Sequence, residues 1–197
     1  RDNKANLDLV KQLLESEDRS AIKDLVLNLN HKNKKIQGDC IKVLYEIGYK
    51  KPDLIAEFID EFLVLLASKN NRLVWGAMVA LLNITDLKHA KIYDSLEAIY
   101  DAIENGSVIT IDCGVGILAK LNRHQVYTGK VEPLLIDQLW KCPIKQLPQY
   151  LERSVICLNS KNSEIFVRII QERLKEIEKA SQEKRLKKIL KQISSEV

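Results

Sequence analysis

The chain has 197 residues, of which 46% are hydrophobic, so it is long enough and apolar enough to bury a sizeable core. Its 31 lysine and arginine residues exceed its 27 aspartate and glutamate residues by only four, which is too small an excess to mark a nucleic-acid-binding protein. Seven glycines and four prolines are too few for a β protein with many tight turns, and the composition favours helices.

Membrane, metal and cofactor sites are not indicated by the sequence. No apolar run approaches the roughly 18 to 20 residues that cross a bilayer, and the first residues lack the apolar stretch of a signal peptide. The cysteines form no C-x-x-C pair, and no histidine has a second ligand at i+4. We expect a cytoplasmic protein with buried thiols, no metal and no cofactor. Because the chain starts without Met, we also expect it to be part of a longer protein.

Helices are predicted in pairs along most of the chain. Residues 5–15 carry apolar side chains at the 3-4 spacing of an amphipathic helix and are interpreted as an incomplete opening unit. From residue 19, each unit consists of a helix A, a polar turn and a helix B. The predicted A helices are residues 19–30, 53–67, 91–104 and 131–140. The predicted B helices are residues 34–48, 72–85, 109–122 and 148–158.

A 38-residue recurrence joins the B helices. Gly38, Gly76 and Gly114 are separated by this step, which indicates stacked copies of one helical unit. Glycine lets the two helices of a pair approach closely, which compensates for its helix penalty of roughly 1 kcal/mol. Asn33 and Asn71 precede the first two B helices and are predicted as their N-caps. Prolines are predicted near helix starts at positions 52, 133 and 148.

The end of the chain is more highly charged than the rest. Two helices are predicted at about 163–179 and 182–195, with an apolar stripe along each. The last unit of a solenoid needs a polar outer face. We therefore interpret residues 163–197 as the capping helix pair of a single domain, residues 1–197. A coiled-coil or partner-binding segment is the alternative.

The repeated unit resembles the HEAT and armadillo-like repeats over nearly the whole chain. The resemblance rests on the two-helix unit of nearly 40 residues and on the start of the second B helix, which is echoed more loosely by Asn33, Lys34, Ile36 and Val43. It implies an all-α, right-handed superhelix (solenoid) of about four to five helix pairs whose B helices line a concave face. It also implies the binding of macromolecules, but no particular partner. The residues at the start of the second B helix that carry this resemblance are Asn71, Arg72, Val74, Ala77 and Leu81.

The charges are segregated along the sequence. Residues 53–66 and 92–112, which are mostly A-helix faces, contain acidic residues and no basic ones. Basic residues concentrate at the turns, and two pairs of them are again 38 residues apart. They either form solvated ion pairs worth under about 1 kcal/mol each or form a basic rim that meets an acidic partner or a phosphate backbone. The two pairs of basic residues that are 38 positions apart are Lys34 with Arg72 and Lys50 with Lys88.

Trp75 and Asp112 are the candidate residues of a binding face. Trp75 lies either in the core between paired helices or on the concave side. Asp112 stands in a column with Ile36 and Val74, and is expected to be an exposed acid at a helix start. A shift of about one residue in the third unit would instead place it in the row of Trp75, facing the groove.

We predict a non-catalytic scaffold that binds a protein partner on its concave face. Nucleic-acid binding is the alternative, because the chain resembles the HEAT-like alkylpurine DNA glycosylases, which use an acidic residue in a cationic, Trp-lined groove. The sequence has only two tryptophans, Trp75 and Trp140, and shows no motif of another enzyme class. The candidate concave-face and basic-rim residues are Lys34, Arg72, Trp75, Asp112, Lys50 and Lys88.

Overall fold

The computed structural model describes residues 4–196, with side chains as far as residue 193. No β-strand occurs within residues 4–196, and none of the helices there has the length and apolar character of a membrane span. The first helices are α1 (Lys4–Ser16), α2 (Arg19–Leu27), α3 (Lys34–Lys50), α4 (Ile59–Leu65), α5 (Asn71–Asp94) and α6 (Leu96–Asn105). They are followed by α7 (Val108–Asn122), α8 (Gln125–Lys141), α9 (Leu147–Ser154), α10 (Ser163–Arg173) and α11 (Ala180–Glu196).

The A and B pairing predicted from the apolar spacing is confirmed as a succession of helix pairs. Short 3-10 helices extend several of them, as at Asn28–Asn30 after α2 and Val155–Cys157 after α9. Helix α5 bends at Lys88, where φ is −128° and ψ is 28°. Its longer first part is therefore the second B helix, and its last turn opens the third A helix together with α6.

Two predicted helix boundaries are wrong. The second A helix is not continuous, because 3-10 helices at Pro52–Leu54 and Ala56–Phe58 precede α4. The fourth A helix begins at Gln125, so Pro133 lies inside α8 and not near its start. Proline frees the carbonyl group four residues earlier, that of Gly129. Both residues are exposed, so water can satisfy this carbonyl group and the helix continues.

Side-chain caps begin the first two B helices, with one change from the prediction. The Asn33 side chain accepts a hydrogen bond from the Lys35 amide at 2.8 Å. At the second B helix, Asn70 is the cap, since its side chain accepts from the Arg72 amide at 3.2 Å. The prediction of Asn71 is wrong by one residue, because Asn71 is already helical and Asn70 is extended, with φ −90° and ψ 98°.

The packing divides the chain into two compact units, one ending at Gly114 and the other starting at Val115. The core of the first unit centres on α3 and α5, and its fully buried side chains include Ile41, Leu44, Met78 and Leu81. The core of the second unit includes Leu135, Tyr150, Phe166, Ile169 and Leu186. That residues 1–197 act as one domain stays a prediction, as does the capping role of residues 163–197.

The three repeated glycines are buried but do not share one environment. A Cβ atom on Gly38 would lie 2.7 Å from Arg72 Nε, and one on Gly76 would lie 2.6 Å from Ile41 Cγ1. These two glycines therefore allow close approach of neighbouring B helices, α3 and α5. A Cβ atom on Gly114 would overlap the Ile103 side chain of α6. The expected approach of helices within a pair holds only for Gly114.

Candidate protein-interaction face

One side of α3 is open to solvent. Asp39, Lys42, Glu46 and Tyr49 recur at the 3-4 spacing of one helix face, and none of them is buried. Tyr49 is the most open of these, at 56% exposure. The opposite side of α3 is the core of the first unit, so these four side chains point away from the paired A helix.

The corresponding side of α5 is more apolar. Arg72, Trp75 and Asn83 are partly exposed and Asp86 is exposed, whereas Val79 and Leu82 between them are buried. Helices α3 and α5 thus share a solvent-exposed surface in the first unit. We call this surface the B face; it consists of Asp39, Lys42, Glu46, Tyr49, Arg72, Trp75, Asn83 and Asp86.

An aromatic row connects the two helices of the B face. The ring centroids of Trp75 and Tyr45 lie 5.7 Å apart with a tilt of 50°, and those of Tyr45 and Tyr49 lie 6.1 Å apart, edge to face. Such geometries are favourable for aromatic pairs. Burial, together with the smaller effect of the Glu46 charge, raises the pKa of Tyr45 to about 12. Its hydroxyl group is therefore uncharged at neutral pH.

Polar contacts hold the other side chains of the B face in place. Asn83 Nδ2 donates to the Tyr45 main-chain oxygen at 3.1 Å, and Asn70 Nδ2 donates to Gln37 Oε1 at 3.0 Å. Asp39 Oδ1 accepts from Asn6 Nδ2 at 3.2 Å. These contacts connect successive B helices and the opening helix, so the face is preorganised by side chains that run across it.

Arg72 occupies a distinctive position at one end of the B face. Its guanidinium group lies over Gly38, and Arg72 Nη2 is 3.9 Å from Asp39 Oδ1. Among the described residues, no acceptor is within hydrogen-bonding distance of the buried Arg72 Nε atom. A buried donor without an acceptor costs about 1 to 3 kcal/mol.

The predicted cations do not form one patch. Lys34 is exposed at the first residue of α3 and Lys50 is exposed at its last, about 24 Å away along the helix. Arg72 lies at the start of α5, whereas Lys88 is partly buried at the bend. Arg72 and Trp75 are three residues apart and lie on the same side of α5. Acidic side chains of the B face stand between the two ends.

Trp75 and Asp112 have different surroundings from those expected. Trp75 is partly exposed at the seam between two B helices, so it lies on the B face and packs against Tyr45. Asp112 is only 7% exposed, and the expectation of an exposed acid at a helix start is wrong. The residues that follow it, 113–117, are all buried, so α7 is covered around its circumference.

Several residues that form or support the B face were missed by sequence reasoning. Tyr45 and Asn83 are 38 residues apart, and this step could have paired them. Two other hydrogen-bonded pairs, Gln37 with Asn70 and Asn6 with Asp39, are each 33 residues apart. A comparison of residues 38 positions apart does not detect this second spacing. The 33-residue contacts join different positions of successive units, which explains why the repeat alone did not reveal them.

The thiol groups are buried, as predicted. Cys40, Cys113, Cys142 and Cys157 are all free and buried. Burial raises the pKa of Cys157 to about 11 and also raises the pKa values of Cys40 and Cys142. Thiols in such surroundings are poor nucleophiles. Within the described residues, no group of three or more His, Cys, Asp or Glu side chains could hold a metal ion.

No protein-family model and no curated protein matches the sequence. Among solved structures, the chain is similar to a designed armadillo repeat protein in complex with the peptide (KR)4, with a TM-score of 0.66 and 14% identity. That match covers 94% of this chain and 86% of the other. A computationally designed armadillo repeat protein for modular peptide recognition has a TM-score of 0.64 and 15% identity, covering 93% of this chain and 85% of the other.

A third similar structure is an engineered protein with a TM-score of 0.61 and 18% identity, which covers 95% of this chain and 90% of the other. At these identities the similarity concerns the fold. The helix pairs and the 38-residue recurrence of the B-helix glycines agree with it. The chain therefore has the all-α armadillo/HEAT-like helical repeat fold, a helical solenoid.

Proposed function

We propose that the chain is a non-catalytic interaction scaffold whose B face, on the concave side of the repeats, binds a peptide segment of a protein partner. The observation that carries this proposal is that Trp75 and Arg72, three residues apart on α5, are both partly exposed on the B face. Tryptophan, tyrosine and arginine are the residues that most often dominate protein interfaces. Here Trp75, Tyr49 and Arg72 lie on the same face.

The spacing of the polar groups suits an extended segment. Arg72 and Asn83 are eleven residues apart on α5, which is about 16 Å along the helix. About five residues of an extended peptide span that distance. The Arg72 side chain is partly exposed, and its terminal N–H groups would donate to a carbonyl oxygen of the segment. The Asn83 amide donates to Tyr45 and leaves its oxygen to accept from an N–H group of the segment.

The charge of the B face favours a mixed segment over a strongly basic or acidic one. Asp39, Glu46 and Asp86 are balanced in part by Lys42 and Arg72 on the same surface. Two similar structures support peptide binding as the class of function, since one is in complex with (KR)4 and the other was designed for modular peptide recognition. We propose an apolar or aromatic anchor against Trp75, flanked by polar residues of either sign.

Selection from a random peptide library with the intact chain tests this proposal. Peptides enriched on the wild-type chain are expected to bind Trp75→Ala at least about tenfold more weakly, a loss of about 1.4 kcal/mol. Trp140→Ala is the matched control, because Trp140 is the other tryptophan and lies on α8 of the second unit. Helix content measured by circular dichroism would verify that both variants are folded.

Two outcomes would reject the B face as the site. One is that the enriched peptides lose affinity for Trp140→Ala and not for Trp75→Ala. The other is that duplex DNA binds at low salt, with an affinity that falls steeply as salt increases and that Trp75→Ala does not change. The second outcome would favour the nucleic-acid alternative.

A further inference from the structure

The A helices of the first unit carry two grooves that repeat one another. The first groove lies between α2 and α4 and has a volume of about 340 Å³; the second lies between α4 and α6 and has a volume of about 450 Å³. Residues that line the first have counterparts 38 positions later that line the second. These pairs are Leu29 with Ala67, Asn30 with Ser68, Asp60 with Ala98, and Val64 with Ala102.

The floors of both grooves are apolar. Val26, Leu29 and Leu65 contribute to the first, and Leu63, Leu66 and Val74 contribute to the second. Val64 lines the first groove and is 74% exposed, the most open of the large apolar side chains described in the first unit. A valine this open on α4, beside two grooves with apolar floors, forms a surface that another apolar surface would cover favourably.

The borders of the grooves carry acidic side chains. Glu61 lines the first groove, Asp101 lines the second, and Glu97 is exposed on α6. Within residues 4–196, none of these three carboxylates is in an ion pair. Asp60 is paired with Lys91 at 2.9 Å, and Lys69 also lines the second groove, so the surface is acidic on balance.

We propose that these two grooves bind a basic amphipathic helix of a partner protein. A helix satisfies its own main-chain hydrogen bonds, which suits a floor formed by apolar side chains. Packed helices are about 8 to 10 Å apart, and residues i and i+7 of a helix are about 10.5 Å apart along its axis. Two apolar anchors at i and i+7 therefore reach both grooves, and lysine or arginine residues beside them meet Glu61, Glu97 and Asp101.

This surface is separate from the B face. The grooves are formed mainly by A helices, and the residues of α5 that line the second groove, Asn71 and Val74, are not residues of the B face. A partner helix in the grooves and a peptide segment on the B face therefore use different side chains. The helix-binding proposal does not depend on the peptide-binding proposal.

A labelled lysine–leucine peptide of about 15 residues, with leucines at i, i+3, i+4 and i+7, is a suitable probe for fluorescence anisotropy. Val64→Glu is the informative variant, because it adds negative charge and removes an apolar contact. If charge alone held the basic probe, the added carboxylate would make binding tighter. The proposal instead expects the loss of the apolar contact to weaken binding of the probe about tenfold. Tyr49→Ser is the matched control on the B face and is expected to leave binding unchanged.

Three results would overturn the proposal. The first is equal or tighter binding by Val64→Glu, and the second is equal binding of a peptide with the same composition in scrambled order. The third is that sedimentation reveals a dimer of the unliganded chain that Val64→Glu dissociates, which would make a second copy the occupant. Loss of binding in Tyr49→Ser but not in Val64→Glu would place the probe on the B face and would equally reject the grooves.

Discussion

Asn83 of α5 donates a hydrogen bond to the main-chain oxygen of Tyr45 of α3, the residue 38 positions before it. The bond therefore joins equivalent positions of successive repeats. Arg19 and Glu57, which are also 38 residues apart, form a similar connection on the A side at 3.0 Å. Interactions between neighbouring units supply much of the stability of repeat proteins, and the side-chain contacts identified here account for part of it.

Removing the Asn83 amide is expected to destabilise the chain. In Asn83→Ala the hydrogen bond between repeats is lost, which costs about 0.5 to 1.5 kcal/mol. Asn105→Ala is the control, because the exposed Asn105 side chain donates only to Asp101 O of its own helix. Urea unfolding of the two variants measures the difference, and an equal loss in both would show that the connection between repeats is not special.

Gly76 and Gly129 are expected to respond oppositely to alanine. In Gly76→Ala the new Cβ atom would lie 2.6 Å from Ile41 Cγ1, and overpacking of this kind costs about 1 to 3 kcal/mol. In Gly129→Ala the Cβ atom meets nothing within 4 Å, so the higher helix propensity of alanine is expected to add about 0.5 to 1 kcal/mol. Thermal unfolding should therefore shift down for the first variant and up for the second.

Arg173 is expected to be important for the second unit. Its buried guanidinium group donates to Leu139 O at 2.9 Å, a carbonyl group in the last turn of α8, and to both carboxylate oxygens of Glu176. Arg173→Ala removes the cap of that helix and leaves a buried acceptor, for a loss of about 2 to 4 kcal/mol. Lys175→Ala, which breaks only an exposed pair with Glu172, is expected to cost under about 0.5 kcal/mol.

Stability is expected to fall at high pH because of Tyr45. Its folded pKa is raised to about 12 from the ordinary value of 10.0, so the native state retains the proton more tightly than the unfolded state does. This contribution is fully present below pH 10 and is lost as the pH rises from about 10 to 12. Urea midpoints measured across that range should decline less steeply for Tyr45→Phe. An unchanged slope would show that Tyr45 ionises as it does in the unfolded chain.

The apolar spacing was sufficient to predict the helix pairs, because the 3-4 pattern of a buried helix face is explicit in residues such as Ile41, Leu44 and Ile47. Helix boundaries were less secure. Asn70 and Asn71 are both suitable caps by residue type, and only the extended backbone of Asn70 decides between them. Pro133 was placed by its usual preference, but exposure at Gly129 lets α8 continue through it.

The candidate site was harder to predict than the fold. The 38-residue period placed Lys34 in one row with Arg72 and Lys50 in another with Lys88; Lys34 and Lys50 are about 24 Å apart along α3, and the basic rim formed by these rows stays a prediction. The burial of Asp112 depends on what surrounds α7, which the composition of one helix does not indicate. Several contacts that organise the B face have a 33-residue separation, as between Asp39 and Arg72, and the 38-residue period does not indicate them.

The indole N–H signals provide the most direct test of peptide binding on the B face. The chain has two tryptophans, so its ¹H–¹⁵N spectrum contains two such signals, and a Trp140→Phe variant assigns them. When a peptide selected on the intact chain is added, the Trp75 signal is expected to shift in proportion to the bound fraction, while the Trp140 signal stays in place. A shift of the Trp140 signal alone, or saturated binding with the Trp75 signal unmoved, would contradict the proposal.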